Sequence, residues 1–364
     1  MTRLVVMTSA VCAVLVMAAC AGPAGNGVDP LGPTELDAAF TTIGDAGEDV
    51  LAALEADAAI RSLGVPFGFA AAPMPPSPPM VLVAPLADVD LPRGVFDYDP
   101  MSGDWVLAQA STDLVYRWSF VDADDEVRAA VMRVVWGTTT EVEDDWGDTL
   151  EVPTDDMSML LTIDGETGAA FDVELGWYTA QACPDGVLVP TRGLIDGSIG
   201  IDATLAMNAV GFTLSNDAFD TSGEIVATAS SKAIGIDWDI GLGIDLTRID
   251  CFIDDVQLID GSVSVAVFGT DAGTTTRLAL SFGFSDIVMD EAFSVAISNG
   301  QLRLNNTSIV TFAGTLDDAN EDGVLGDNLN LTFADGTTMT LEAYLETYVI
   351  EAAAMVRRAV SLLR

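Results

Sequence analysis

The sequence predicts a mainly β protein. It would be a long, twisted antiparallel meander, forming a half-open barrel or a sandwich, with an amphipathic helix at each end of the chain. Three observations predict it. From about residue 80 onward, apolar residues recur at every second position, the period of a strand with one buried face. Clusters rich in Asp and Gly punctuate these runs, as turns between antiparallel strands do. One stretch before the alternating region and one after it carry apolar residues at helical spacing instead.

The elements follow in order. Met1-Thr2-Arg3 is a short positive start, and Leu4 to Ala19 is apolar apart from Thr8 and Ser9. That run is too short to span a hydrocarbon core, which takes about 20 residues, and has the form of an export signal covering residues 1–19. It ends Val16-Met17-Ala18-Ala19-Cys20. This resembles the lipobox of bacterial lipoproteins, with Met17 where that motif usually has Leu. The resemblance covers residues 1–20 and implies acylation of Cys20 with palmitate-type chains. It further implies a membrane partner and a location in the cell envelope, at the outer membrane or cell surface. Several acyl chains anchor stably where one is marginal.

Residues 20–33, rich in Gly and Pro, read as a flexible tether. Residues 34–64 read as helical, as a helix over 46–63 capped at Asp45 and a shorter one before it from about 34. Asp45 and Glu48 have capping-box spacing, Val50, Leu51, Leu54, Ala58 and Leu63 form a stripe, and Gly64 and Pro66 give a stop. Residues 65–92, with Pro73, Pro75, Pro76, Pro78 and Pro79, read as extended. The antiparallel β region then occupies 93–340, with a division into halves allowed near 185–192.

Within it, hairpins are expected around Asp99–Gly103, Asp122–Glu126 and Asp164–Gly168. The clearest strand is 236–247. Ile236, Trp238, Ile240, Leu242, Ile244 and Leu246 alternate with Asp237, Asp239, Gly241, Gly243, Asp245 and Thr247. The hexad Leu194–Ile199 recurs at Leu258–Val263, and its Asp-Gly-Ser core reads as a turn. Residues 341–364 read as the second helix, striped by Leu341, Leu345, Tyr348, Ala352 and Met355.

Composition excludes several chemistries. The chain has 364 residues, 56 acidic and 14 basic side chains and a net charge of −42. Such a field repels a phosphate backbone, so nucleic acid is not an expected partner. There is no histidine, which removes Ser–His–Asp and Cys–His catalysis and His-ligated zinc. Half of the residues are hydrophobic, enough for a core and unlike an acidic disordered tail.

Once Cys12 leaves with the signal and Cys20 is set aside for lipid, Cys183 and Cys251 remain as an even pair in an oxidising compartment, and a disulfide between them is expected. Asp318, Asn320, Asp322, Val324 and Asp327 resemble the first half of an EF-hand-type or dockerin-type calcium loop. Alternate side-chain oxygens and one carbonyl would wrap a hard cation, and Gly323 would permit the turn. Leu329 stands where such loops carry a bidentate acid, so calcium is weighed against a plain acidic turn. The acidic runs at 122–126, 141–145 and 155–156 read as solvated hairpin tips. Trp105, Trp118, Trp136, Trp146, Trp177 and Trp238 read as core more than as a sugar platform. Lys232, the sole lysine, reads as a turn residue.

These features point to a non-enzymatic envelope lipoprotein that binds an apolar ligand in its sheet or acts structurally. The alternative is a calcium-stabilised adhesion or carbohydrate-binding module.

Overall fold

The computed structural model describes residues 33–67, 93–143, 149–153, 156–178, 189–249, 252–288, 294–320 and 325–348. Helix α1 spans Pro33–Ala56 and α2 spans Ala58–Phe67. The helix expected to start at Asp45 is already running there, so the Asp45/Glu48 pair is not a cap. Packing explains this. Ala39, Ala46 and Val50 are buried along α1, and Ile43 lies against Gly269 while Gly47 lies against Ile234.

The break falls at Asp57 instead. Its Oδ1 accepts from the backbone N–H groups of Ala59 (2.9 Å) and Ile60 (3.4 Å), an N-cap for α2. Nor does α2 stop at Gly64. It continues through Pro66, so residues 65–67 are helical rather than extended. Pro66 has no N–H to offer the Ser62 carbonyl, and the Trp118 indole N–H donates to that carbonyl in its place, at 2.8 Å.

Eighteen strands are present among the described residues. They begin with β1 (Gly94–Asp99), β2 (Asp104–Gln109), β3 (Leu114–Val121), β4 (Val127–Trp136), β5 (Thr139–Glu143) and β6 (Thr149–Pro153). Next come β7 (Asp156–Ile163), β8 (Glu166–Tyr178), β9 (Val189–Ile199), β10 (Ala203–Leu214), β11 (Ala218–Ala229) and β12 (Lys232–Ile249). The last are β13 (Phe252–Asp271), β14 (Thr274–Val288), β15 (Ser294–Leu304), β16 (Thr307–Asp317), β17 (Asn328–Phe333) and β18 (Thr338–Thr340), followed by helix α3 (Leu341–Tyr348). Residues 349–364 of the expected C-terminal helix lie outside the described residues.

Sixteen strands form one sheet, in the order β18 to β7 without interruption, then β4-β3-β1-β2. The sheet does not close and is not two packed sheets, so the sandwich and the purely antiparallel meander are both corrected. The cause of the second is local. Strand β1 pairs β3 in parallel, Gly94 with Leu114 through Asp97 with Arg117, which sends β2 to the outside. A separate hairpin, β5–β6, stands apart. Strands β8 and β9 pair antiparallel, Ala169 opposite Ile199 and Tyr178 opposite Val189, with a register shift between Gly176 and Trp177.

Turn chemistry sets the registers. Asp164–Gly165, Ala272–Gly273 and Asn305–Asn306 have positive φ at both positions, the primed geometry that suits strand twist. The loop expected over Asp164–Gly168 therefore shrinks to two residues, and β8 starts at Glu166. Ala209, Asp286 and Asn299, all at positive φ, sit at register shifts in β10, β14 and β15, where bulges bend the long strands.

Glycine inside strands is matched by aromatic rings. Phe171 stands opposite Gly197, Phe212 opposite Gly193, Phe268 opposite Gly235, Phe284 opposite Gly261 and Phe312 opposite Gly300. Each ring fills the space that a Cβ would take. Gly197 and Gly261 belong to the two Asp-Gly-Ser copies, so neither copy is a turn; both lie within strands. The core is distributed along the sheet. Helix α2 packs on β3, β7 and β8, α1 on β10 to β14, and α3 on β17 and β18.

Candidate functional site

Strand β12 presents the expected alternation. Ile234 meets Gly47 of α1. Farther along the same face, Leu242, Ile244 and Leu246 are buried with Leu214, Phe219 and Leu258 packed against them. Between these two covered regions Ile236 is 38% exposed, and its cross-strand neighbours are Ile225 and Val267. Trp238 is half-buried beside it, its indole N–H donating to the Thr221 hydroxyl at 3.2 Å. The apolar face thus continues past the helix that covers it. The opposite face is acidic. Asp239 and Asp245 are exposed, and Asp237 is held by Arg277 at 2.7 Å, whose guanidinium lies over Phe268.

The loop after β16 brings some of the expected calcium ligands together. The Asn320 backbone N–H donates to Asp327 Oδ2 at 3.0 Å. Its side-chain amide donates to Glu342 Oε1 at 2.8 Å. The Glu342 carboxyl, in the first turn of α3, hydrogen-bonds Asp327 and holds the Asp327 carboxyl below its ordinary value. Glu342 was not among the sequence candidates. It is 15 residues from Asp327 and reaches the loop because β17 and β18 fold back on it. Leu325, expected as the apolar residue of the loop, packs against the C-terminal core. Asp322 and Val324 lie outside the described residues. Among the described residues no group of three or more Cys, Asp or Glu is arranged to hold a metal ion.

Cys20, Cys183 and Cys251 lie outside the described residues, as do Trp146 and the Trp177 side chain. Trp118 is buried, and Trp105 and Trp136 pack against the same core. Lys232 starts β12 and pairs Asp49 of α1 at 2.5 Å, which raises its ammonium above the ordinary value.

The acidic tip at 122–126 is not uniformly solvated. Asp122 is buried and its Oδ1 accepts from the N–H groups of Asp124 and Glu126, 3.0 Å each. Arg128 links Asp122 to Asp164 across two turns. Asp57, also unanticipated, is 2% exposed. Its Oδ2 accepts from Ile201 and Asp202 at 2.8 Å and Ala203 at 3.1 Å. Asp before Ala-Ala-Ile signals a cap, but nothing local signals partners in another turn. No known protein family, curated protein or solved structure matches the chain.

Proposed function

We propose that this chain is a non-enzymatic, lipid-anchored envelope protein whose sheet binds an apolar ligand such as an acyl chain. The observation that carries the reading is the exposed Ile236 on a continuous apolar face, between the part under α1 and the buried cluster at Leu242–Leu246. Burying apolar surface of this kind yields about 25 cal/mol per Å², and a ligand chain is a natural cover for it. In this reading the helices near the two ends of the chain are amphipathic and turn their apolar sides to the sheet. Cys20 carries the acyl chains, the Gly/Pro-rich residues 20–33 form the tether, and Cys183 and Cys251 are bonded.

A second reading, a calcium-stabilised adhesion or carbohydrate-binding module, is favoured by the meeting of Asn320, Asp327 and Glu342. A cation there would be held by the Asp327 and Glu342 carboxyls, and Asp318, Asp322 and the Val324 carbonyl would complete the set.

Native mass spectrometry of residues 21–364, expressed into a bacterial periplasm with calcium present, separates the two. Several hundred daltons of added mass, lost on denaturation and kept in EDTA, is the expected result. A bare chain, or one carrying only calcium removed by EDTA, overturns the ligand reading; the calcium adduct supports the second.

A further inference from the structure

Strand β2 is one end of the sheet. It is hydrogen-bonded to β1, and no described strand pairs its other side. A free strand edge is a template for another chain, and proteins blunt it with Lys, Pro, bulges or short length. The opposite end is blunted in this way, since β18 has 3 residues and leads straight into α3. Strand β2 has 6 residues, DWVLAQ, with no Lys, Arg or Pro. Its one irregularity is a bulge near its C-terminal end, where Ala108 is the extra residue between the Phe96–Leu107 and Val95–Gln109 pairs, and Asp104 to Leu107 stay regularly paired.

Val106 is 52% and Leu107 55% exposed. Trp105 and Leu107 stand opposite Tyr98 and Phe96 on the apolar face, while Asp104 and Val106 stand opposite Asp99 and Asp97 on the other. The edge is also held in place. The Trp105 ring is 4.7 Å from that of Tyr116, 5.3 Å from Tyr98 and 5.9 Å from Trp118.

We propose that β2 is a docking edge that takes an extended segment of a basic partner protein as an added strand. Main-chain hydrogen bonds would supply affinity and alternate side chains the selectivity. The segment places apolar residues beside Trp105 and Leu107 and a basic one beside Asp104, with Asp99 one strand farther in on the same face. Charge decides the sign of the partner. Asp99 and Asp104 face each other in the cross-strand position, on a chain of net charge −42. A second copy would bring like charge against like charge.

The test uses the full mature chain and a fluorescent (Lys-Val)4 peptide, with (Glu-Val)4 as counterpart, followed by anisotropy at about 0.15 M salt and by hydrogen exchange. The (Lys-Val)4 peptide is expected to bind with a Kd of roughly 10–100 μM and to slow exchange over residues 104–109. Val106→Lys/Leu107→Lys is expected to weaken binding about tenfold, equivalent to about 1.4 kcal/mol. Val135→Lys/Leu160→Lys, equal in charge and on exposed strand positions, is expected to change it less than about twofold. Four results overturn the proposal. The peptide does not bind up to about 1 mM; it binds both variants alike; the β2 amides are protected before peptide is added; or sedimentation shows a dimer that Val106→Lys/Leu107→Lys dissociates.

Discussion

Asp57 joins the start of α2 to the β9–β10 connection. One carboxylate accepts five backbone N–H groups, two from the first turn of α2, two from the turn between β9 and β10 and one from Ala203 at the start of β10. Burial without an acceptor costs each such donor about 1–3 kcal/mol. Asp57→Ala is therefore expected to destabilise by about 4 kcal/mol. The check is a urea titration, with local exchange at 58–61 and 201–203 rising together. A loss under about 1 kcal/mol would mean that water replaces the carboxylate.

Asp164 gives a pH dependence of definite sign. The Ala129 N–H and then Arg128 hold its carboxyl below the ordinary value. The folded state resists protonation, so the stabilisation is complete above the unfolded value near 4 and is lost as pH falls through the lower folded value. In thermal melts from pH 7 to 2.5, Asp164→Asn is expected to melt below the parent above pH 5. The gap should close as pH drops below about 4.

Among elements, the glycine–aromatic pairs make the sharpest case. A Cβ at Gly300 would lie 2.2 Å from the Phe312 ring. Gly300→Val is expected to cost about 1–3 kcal/mol through overpacking. Adding Phe312→Ala should cost less than the sum of the two single changes, a coupling that a double-mutant cycle measures. Additive costs would show that the ring does not hold that space.

These pairs also mark what the sequence reading reached. The alternation at 236–247 and the Asp99–Gly103 and Asp164 turns were legible because both signals are local. The Gly–Phe pairs need the register between strands before they are visible. So does the parallel β1–β3 contact, which no hydrophobic period encodes. The start of α1 was misread for a related reason. Capping-box spacing is also i, i+3 on a continuous helix, and burial of Ala39, Ala46 and Val50 decides between the two. Of the candidate sites, Asn320 and Asp327 were legible as a loop motif, while Glu342 joins them only through the fold.

At the scale of the molecule, charge opposes compactness. A net charge of −42 repels itself across the sheet. Part of the scarce positive charge is committed to close ion pairs along the sheet: Arg117 with Asp97, Arg133 with Asp113, Arg192 with Glu174 and Arg277 with Asp237. Added salt screens the long-range repulsion more than these close contacts, since the Debye length falls from about 14 Å at 0.05 M to about 4 Å at 0.5 M. The melting temperature is therefore expected to rise over that range of NaCl. A fall would show that the pairs outweigh the repulsion.

The uninterrupted order from β7 to β18 has a consequence for how the chain assembles. Neighbours in sequence are neighbours in space over twelve strands, so each hairpin adds to the last as a unit adds to a solenoid. Loop closure stays short at every step, and folding can zip outward from a nucleus instead of searching for distant partners. Among the described residues only the helical segment 33–67 bridges across many strands at once, which makes it the clasp on a ladder that otherwise lengthens one rung at a time.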